Sequence, residues 1–251
     1  MRIGAVAPVL PPASKPALSV RLLFLRALTA AVACFGFAWG LSTVWGGEVT
    51  DDFRDIESRL LRFEAFNQAT TAEVLSSAAA REASPCDSHT QRALLLMEIP
   101  LADAALRSGA LNEYSRRTQA MEIRARELLA CTPRDSFVWL VLFGIATGHG
   151  NLDQSAFDLL AMSYETSPNE AWVANRRIML AIPVLRSAPE PIQERILGEF
   201  QELVRRGFVD IPALAYLGAS EPVRASLRAR IEALDERTQK AFTEAIKQRR
   251  T

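Results

Sequence analysis

Between Ala27 and Trp45 the chain reads ALTAAVACFGFAWGLSTVW, 19 residues without a charge. No other stretch constrains the fold as strongly, because about 20 apolar residues in a helix is what a bilayer's hydrocarbon core requires. Arg21 and Arg26 precede the run, and Glu48, Asp51 and Asp52 follow it. Positive flanks stay cytoplasmic, so the expected orientation is N-terminus in and residues 47–251 out. Trp45 stands at the far interface, with Ser42 and Thr43 just inside it. Three other readings fit less well. A cleavable signal peptide wants a shorter apolar core and a small-residue cleavage site, which Val44-Trp45-Gly46 matches poorly. Ala31-Val32-Ala33-Cys34 approaches a lipoprotein box, yet the residues after Cys34 stay apolar. A buried helix of a soluble protein would need neighbours of similar all-round apolarity, and the sequence offers none. The segment 21–46 therefore reads as an uncleaved transmembrane signal anchor, contacting the membrane through residues 27–45. Before it, residues 1–20 carry Pro8, Pro11, Pro12 and Pro16 and read as a short disordered cytoplasmic tail. The expected location is the bacterial inner membrane, single-pass, with residues 47–251 forming an exported, periplasmic domain.

Charge excludes one class of partner. The chain has 29 basic and 29 acidic residues. Arg2, Lys15, Arg21 and Arg26 all precede the first acid, Glu48, so the exported part is mildly acidic. A nucleic-acid surface would show a basic face, and no nucleic-acid partner is expected.

The body reads as helix almost throughout. Phe53, Ile56, Leu60 and Phe63 step by three and four within Asp51–Phe66, an apolar helical stripe. A second helix starts near Thr70 and continues into the alanine-rich SSAAAREA. Ser84-Pro85-Cys86-Asp87-Ser88 breaks it and supplies capping side chains for a third, about Ser88–Ser108, which Pro100 should kink or split. Gly109 ends that helix. Tyr114, Thr118, Met121, Ala125 and Leu128 form the buried stripe of a fourth, Leu111–Cys131. The turn between the third and fourth is only two or three residues, so the two should pack antiparallel. Further stripes follow at Pro189–Arg206, at Ile211–Leu217, and along one long amphipathic helix from Glu221 to about Lys247.

The hairpin places two cysteines. Each arm has roughly 20 residues, about 30 Å. Cys86 precedes the first arm and Cys131 ends the second, so the two lie at the same end of the hairpin. In an oxidising compartment a Cys86–Cys131 disulfide would clamp that end and contribute about 2 to 4 kcal/mol. Two free buried thiols are the other reading. Cys34 stays apart in the membrane segment.

Beyond Cys131 the pattern repeats. Thr132-Pro133-Arg134-Asp135-Ser136-Phe137-Val138 and Ser167-Pro168-Asn169-Glu170-Ala171-Trp172-Val173 share proline, acid, aromatic and valine at a spacing of 35. Between them lie one helix (about Ser136–Thr147), the turn GHGN, and another helix (about Leu152–Thr166). Such a unit cannot bury its apolar face alone, so neighbours must stack. Residues 112–185 resemble a degenerate tetratricopeptide repeat. Trp139, Leu142, Gly144 and Ala156 fall near that family's helix-packing positions, and Pro133 and Pro168 end the units. The tyrosine expected on the first helix is missing, and the spacing is 35 rather than 34. The resemblance implies an all-α fold: one N-terminal transmembrane helix followed by a TPR-like α-solenoid of antiparallel helix hairpins. SYETSPNEAWVANRRIMLAI also resembles membrane-anchored helical-repeat proteins associated with bacterial polysaccharide synthesis and export.

No phosphate loop, zinc-ligand spacing or nucleophile elbow appears, so no catalytic residue, metal or cofactor is expected. His149, in a glycine turn, has Asp153 and Ser155 near it in sequence only. Glu165 and Glu170 form one of many chance carboxylate pairs. Arg176 and Arg177 are the candidate partner contacts, where one of the two would line a concave repeat surface; ordinary surface coverage is the competing reading. The expectation is a non-enzymatic scaffold binding envelope proteins, in polysaccharide assembly by the second resemblance. The alternative is an envelope enzyme or binding protein acting on glycan or peptidoglycan.

Overall fold

The computed structural model describes residues 17–62, 64, 67–77, 80, 83–167 and 169–250. Among these residues all regular structure is helical. The order is α1 (Ala17–Leu61), α2 (Gln68–Ser76), α3 (Ser88–Arg107), α4 (Leu111–Cys131), α5 (Ser136–Gly148), α6 (Gln154–Thr166) and α7 (Ala171–Ala181). A 3-10 turn (Ile182–Ser187) leads into α8 (Glu190–Arg205), α9 (Asp210–Gly218), α10 (Glu221–Glu232) and α11 (Glu236–Arg250). Contacts divide the chain into two units, Met1–Asp51 and Asp52–Thr251.

In the first unit, Leu22–Gly40 is long and apolar enough to cross a membrane, with a mean hydropathy of 1.8 and none of it buried. Of the expected tail, residues 1–16 lie outside the described residues, while residues 17–20 are already helical. The membrane segment and the stripe beginning at Asp51, read as two elements, are one backbone helix ending at Leu61. Gly46 and Gly47 cost a helix about 1 kcal/mol each, and no proline stands there to break it. Phe63 and part of the alanine-rich stretch after α2 lie outside the described residues.

The second unit is a stack of helix pairs, an arrangement compatible with a helical solenoid. Short side chains start its helices. Asp135 Oδ1 accepts the N–H of Val138 (3.2 Å), and Asp153 Oδ1 that of Ala156 (3.0 Å), each satisfying an orphan donor of the first turn. Glycine stops them. Gly109, Gly150 and Gly207 have φ of 75°, 82° and 86°. Each is followed by a residue whose N–H returns to a carbonyl five positions back: Ala110 to Ala105, Asn151 to Ala146 and Phe208 to Leu203, all at 2.9 Å. This is one Schellman turn used three times to reverse the chain, and only glycine enters that left-handed conformation cheaply.

Phe137, Phe143, Phe157, Leu160, Ile178, Ile196, Phe200 and Leu227 form a continuous buried seam through α5, α6, α7, α8 and α10. Two expectations change. Pro100 does not split α3, because Leu94 to Met97 on one side and Leu101 and Ala102 on the other are all buried; their packing outweighs the roughly 3 kcal/mol that an internal proline costs. The long C-terminal helix is two. Asp235 accepts both the N–H and the hydroxyl of Thr238, starting α11 afresh. The break lets Phe242 lie edge-on against Phe200 and Tyr216, at 5.7 and 5.8 Å between ring centres.

Candidate functional site

Helix α7 has two apolar faces. Val173, Ala174, Arg177, Ile178 and Ala181 are buried in the core. Arg176, Met179 and Leu180 lie on the other side, with Pro183 one turn further on, at the helical spacings of three, four and seven. That second face closes one wall of a groove of about 560 Å³. Helix α5 supplies the floor through Phe137, Leu140, Val141 and Gly144, while α3 and α4 supply the far wall through Ile99, Leu106 and Met121. Ile99, Leu106, Met179 and Leu180 are exposed although apolar. All four line this groove, so it presents apolar side chains to solvent.

Two glycines shape this floor. A Cβ on Gly144 would sit 3.3 Å from Leu180 Cδ1, so the missing side chain is what lets α5 and α7 approach. At Gly148 the Tyr114 hydroxyl fills the space where a side chain would begin. His149 stands beside that end of the groove, its ring edge-on to Tyr114 at 5.8 Å and its Nε2 3.2 Å from Thr118 Oγ1. Asp153 is engaged elsewhere. It accepts the hydroxyl of Ser155 (2.7 Å) and the Ala156 amide, bonds that hold its carboxyl below the usual value. Ser155, Asp153 and His149 make no triad.

The two arginines proposed as partner contacts part company. Arg176 lines the groove, its guanidinium 5.5 Å over the Trp172 ring. Its Nη1 donates to the Trp172 carbonyl (3.2 Å) and its Nη2 to that of Leu60 (2.6 Å). Burial lowers its pKa to about 10. Arg177 is 0% exposed, so of the two it is Arg176 that reaches a surface. It pairs with Glu199 at 2.8 Å, donates to the carbonyls of Ser163 (2.6 Å) and Ser167 (3.2 Å), and lies 4.5 Å over Tyr164. Ser163 in turn donates to the Ser136 carbonyl at 2.8 Å, so one cation ties α5, α6, α7 and α8 together. A helical stripe drawn from the sequence cannot tell such a buried ion pair from a surface pair, because its partner is 22 residues away.

Beside this network opens a cleft of about 500 Å³, where Glu165, Arg195, Glu199 and Glu202 lie among apolar residues such as Leu203 and Phe208. Burial raises the Glu199 carboxyl, with Arg177 opposing the shift. Burial also pushes the Tyr164 hydroxyl well up; Glu199 lies against it, yet the geometry closes no hydrogen bond.

At the other end of the domain, the sulfurs of Cys86 and Cys131 are bonded, with Cα atoms 5.4 Å apart. The bond joins the turn before α3 to the last residue of α4. Cys34 is a free, exposed thiol on the apolar helix. The groove itself was not singled out in the sequence. Its legible sign in the sequence was the Arg176-Arg177 pair, of which Arg176 lines the groove. Comparison with protein-family models, curated proteins and solved structures finds no match to this chain.

Proposed function

We propose that the protein is a membrane-anchored periplasmic scaffold that holds protein partners of cell-envelope assembly in the groove between α3, α4, α5 and α7. The groove carries this reading. Its floor and walls are apolar, it opens to solvent, and helical surfaces of this kind receive peptide segments through side-chain anchors. The apolar helix Leu22–Gly40, whose one charge is Arg26 near its start, fits an anchor of the bacterial inner membrane with the domain outside, and the Cys86–Cys131 bond fits an oxidising compartment. Anchoring concentrates the groove at the membrane surface, so modest affinity suffices for partners in the same membrane. The resemblance of residues 163–182 points to polysaccharide synthesis and export as the assembly served.

The test is crosslinked co-purification from native membranes, comparing the wild-type chain with Leu180→Glu and Leu106→Glu. Both positions line the groove and are partly exposed, so the charge falls on its walls. Partners enriched with the wild type and lost from both variants support the scaffold. Partners no richer than in an anchor-only control overturn it. The cleft beside Glu199, whose carboxyl burial raises, favours a second reading as a glycan-acting or glycan-binding protein. Hydrolysis or retention of envelope glycan that a folded Glu199→Gln variant loses, with Leu180→Glu unaffected, would select it.

A further inference from the structure

The last turns of α1 are built into the domain. Phe53, Glu57 and Leu60 are 3%, 5% and 9% exposed, a stripe at spacings of four and three in which the central residue is an acid. Glu57 meets two groups of α3. His89 Nδ1 lies 2.6 Å from Oε2, and Arg92 Nε lies 2.8 Å from Oε1. The Arg92 contact is Coulombic and closes no well-aligned hydrogen bond. Arg92 also faces a second buried acid, Asp135 at the start of α5, with Nη1 3.6 Å from Oδ2. Glu170, ahead of α7, acts on Asp135 as a further negative charge. From α7, Arg176 Nη2 donates to the Leu60 carbonyl of this segment. Glu73, the one charge on α2, is exposed, as are Arg54 and Asp55 on α1 itself.

The charges of this cluster do not balance without the imidazole. Glu57 and Asp135 supply two negative charges and Arg92 one fixed positive charge. A protonated His89 makes the sum zero; a neutral one leaves a buried carboxylate under-compensated, a costly state. Imidazole is the side chain that ordinarily changes charge between pH 5 and 8. We propose that Glu57, His89, Arg92 and Asp135 form a proton-sensitive latch that sets how firmly residues 53–61 of α1 are seated on the domain. Proton uptake at His89 tightens the seat, and loss of that proton loosens it. The residues seated are those that continue directly from the apolar helix, so the latch acts where anchor and domain join in sequence.

Hydrogen exchange on the full chain in lipid nanodiscs tests this. Opening of amides 53–61 would be followed from pH 5.5 to 8, corrected for intrinsic exchange, with the α5 amides of the same molecule as reference. Relative protection is expected to fall about fivefold as pH rises, the size of one half-exposed charge-assisted contact. Both His89→Gln and Glu57→Gln should flatten the profile while leaving α5 unchanged. A wild-type profile already flat overturns the latch, as does a fall of the same size in His89→Gln.

Discussion

Arg177 shows how much of the fold rests on single polar residues. A guanidinium with no exposure joins four helices, and its removal leaves Glu199 and the Ser163 carbonyl unsatisfied in the core. Arg177→Ala should cost about 3–5 kcal/mol in urea unfolding, the usual loss when one partner of a buried ion pair is deleted. Replacing both partners together, Arg177→Met with Glu199→Leu, should restore much of it, because the penalty lies in the abandoned charge. Asp135 makes a prediction in pH. Burial holds its carboxyl above the ordinary aspartate value of 3.8, with Arg92 and two backbone amides opposing. The native state therefore binds this proton more tightly than the unfolded chain does. Stability contributed by the group grows as pH falls through the raised native value toward 3.8, and is lost as pH rises through the same window. Asn caps a helix as well as Asp does. The wild type should gain on Asp135→Asn as pH drops toward 3.8, read as a shift in the difference between their urea midpoints.

At the scale of elements, the hairpins depend on their closures. Each of the three positive-φ glycines should cost about 1–2 kcal/mol when replaced by alanine, since an L side chain strains the left-handed turn. Open space around the would-be Cβ of Gly150 and Gly207 means the loss is conformational and not a clash. Breaking the Cys86–Cys131 bond, by reductant or by serine at both positions, should lower stability by about 2–4 kcal/mol, read from urea midpoints. Elements were also what the sequence displayed best. The stripe Tyr114, Thr118, Met121, Ala125, Leu128 and the glycines that end the hairpins are local signals, and α4 runs over Leu111–Cys131 as that stripe predicts. The C-terminal break was missed because Asp235 and Thr238 look like two more charged-face residues until Phe242 is seen to need a return path. The groove and the Glu57 cluster were less legible for a related reason. Both are assembled from residues 30 to 80 positions apart, and no one helix carries a sign of the company it keeps.

For the whole molecule, divided into Met1–Asp51 and Asp52–Thr251, every core residue among those described belongs to the second unit. Residues 22–39 are exposed along their length and contribute nothing to it. The boundary matters because the core's first members, Phe53, Glu57 and Leu60, follow it within ten residues. Two truncations separate anchoring from folding. A chain starting at residue 52 keeps this stripe with its His89, Arg92 and Arg176 partners, and should stay in solution without detergent. Its urea midpoint should match that of the domain transition in the full chain. A chain starting at residue 63 loses a buried phenylalanine and a buried leucine, whose deletion costs about 3–5 and 2–5 kcal/mol in other cores. It also strips Arg92 of one of its two acids. The shorter form should unfold at markedly lower urea or aggregate. Equal midpoints for the two would show that residues 53–61 rest on the surface as a linker, and the domain would then begin at α2.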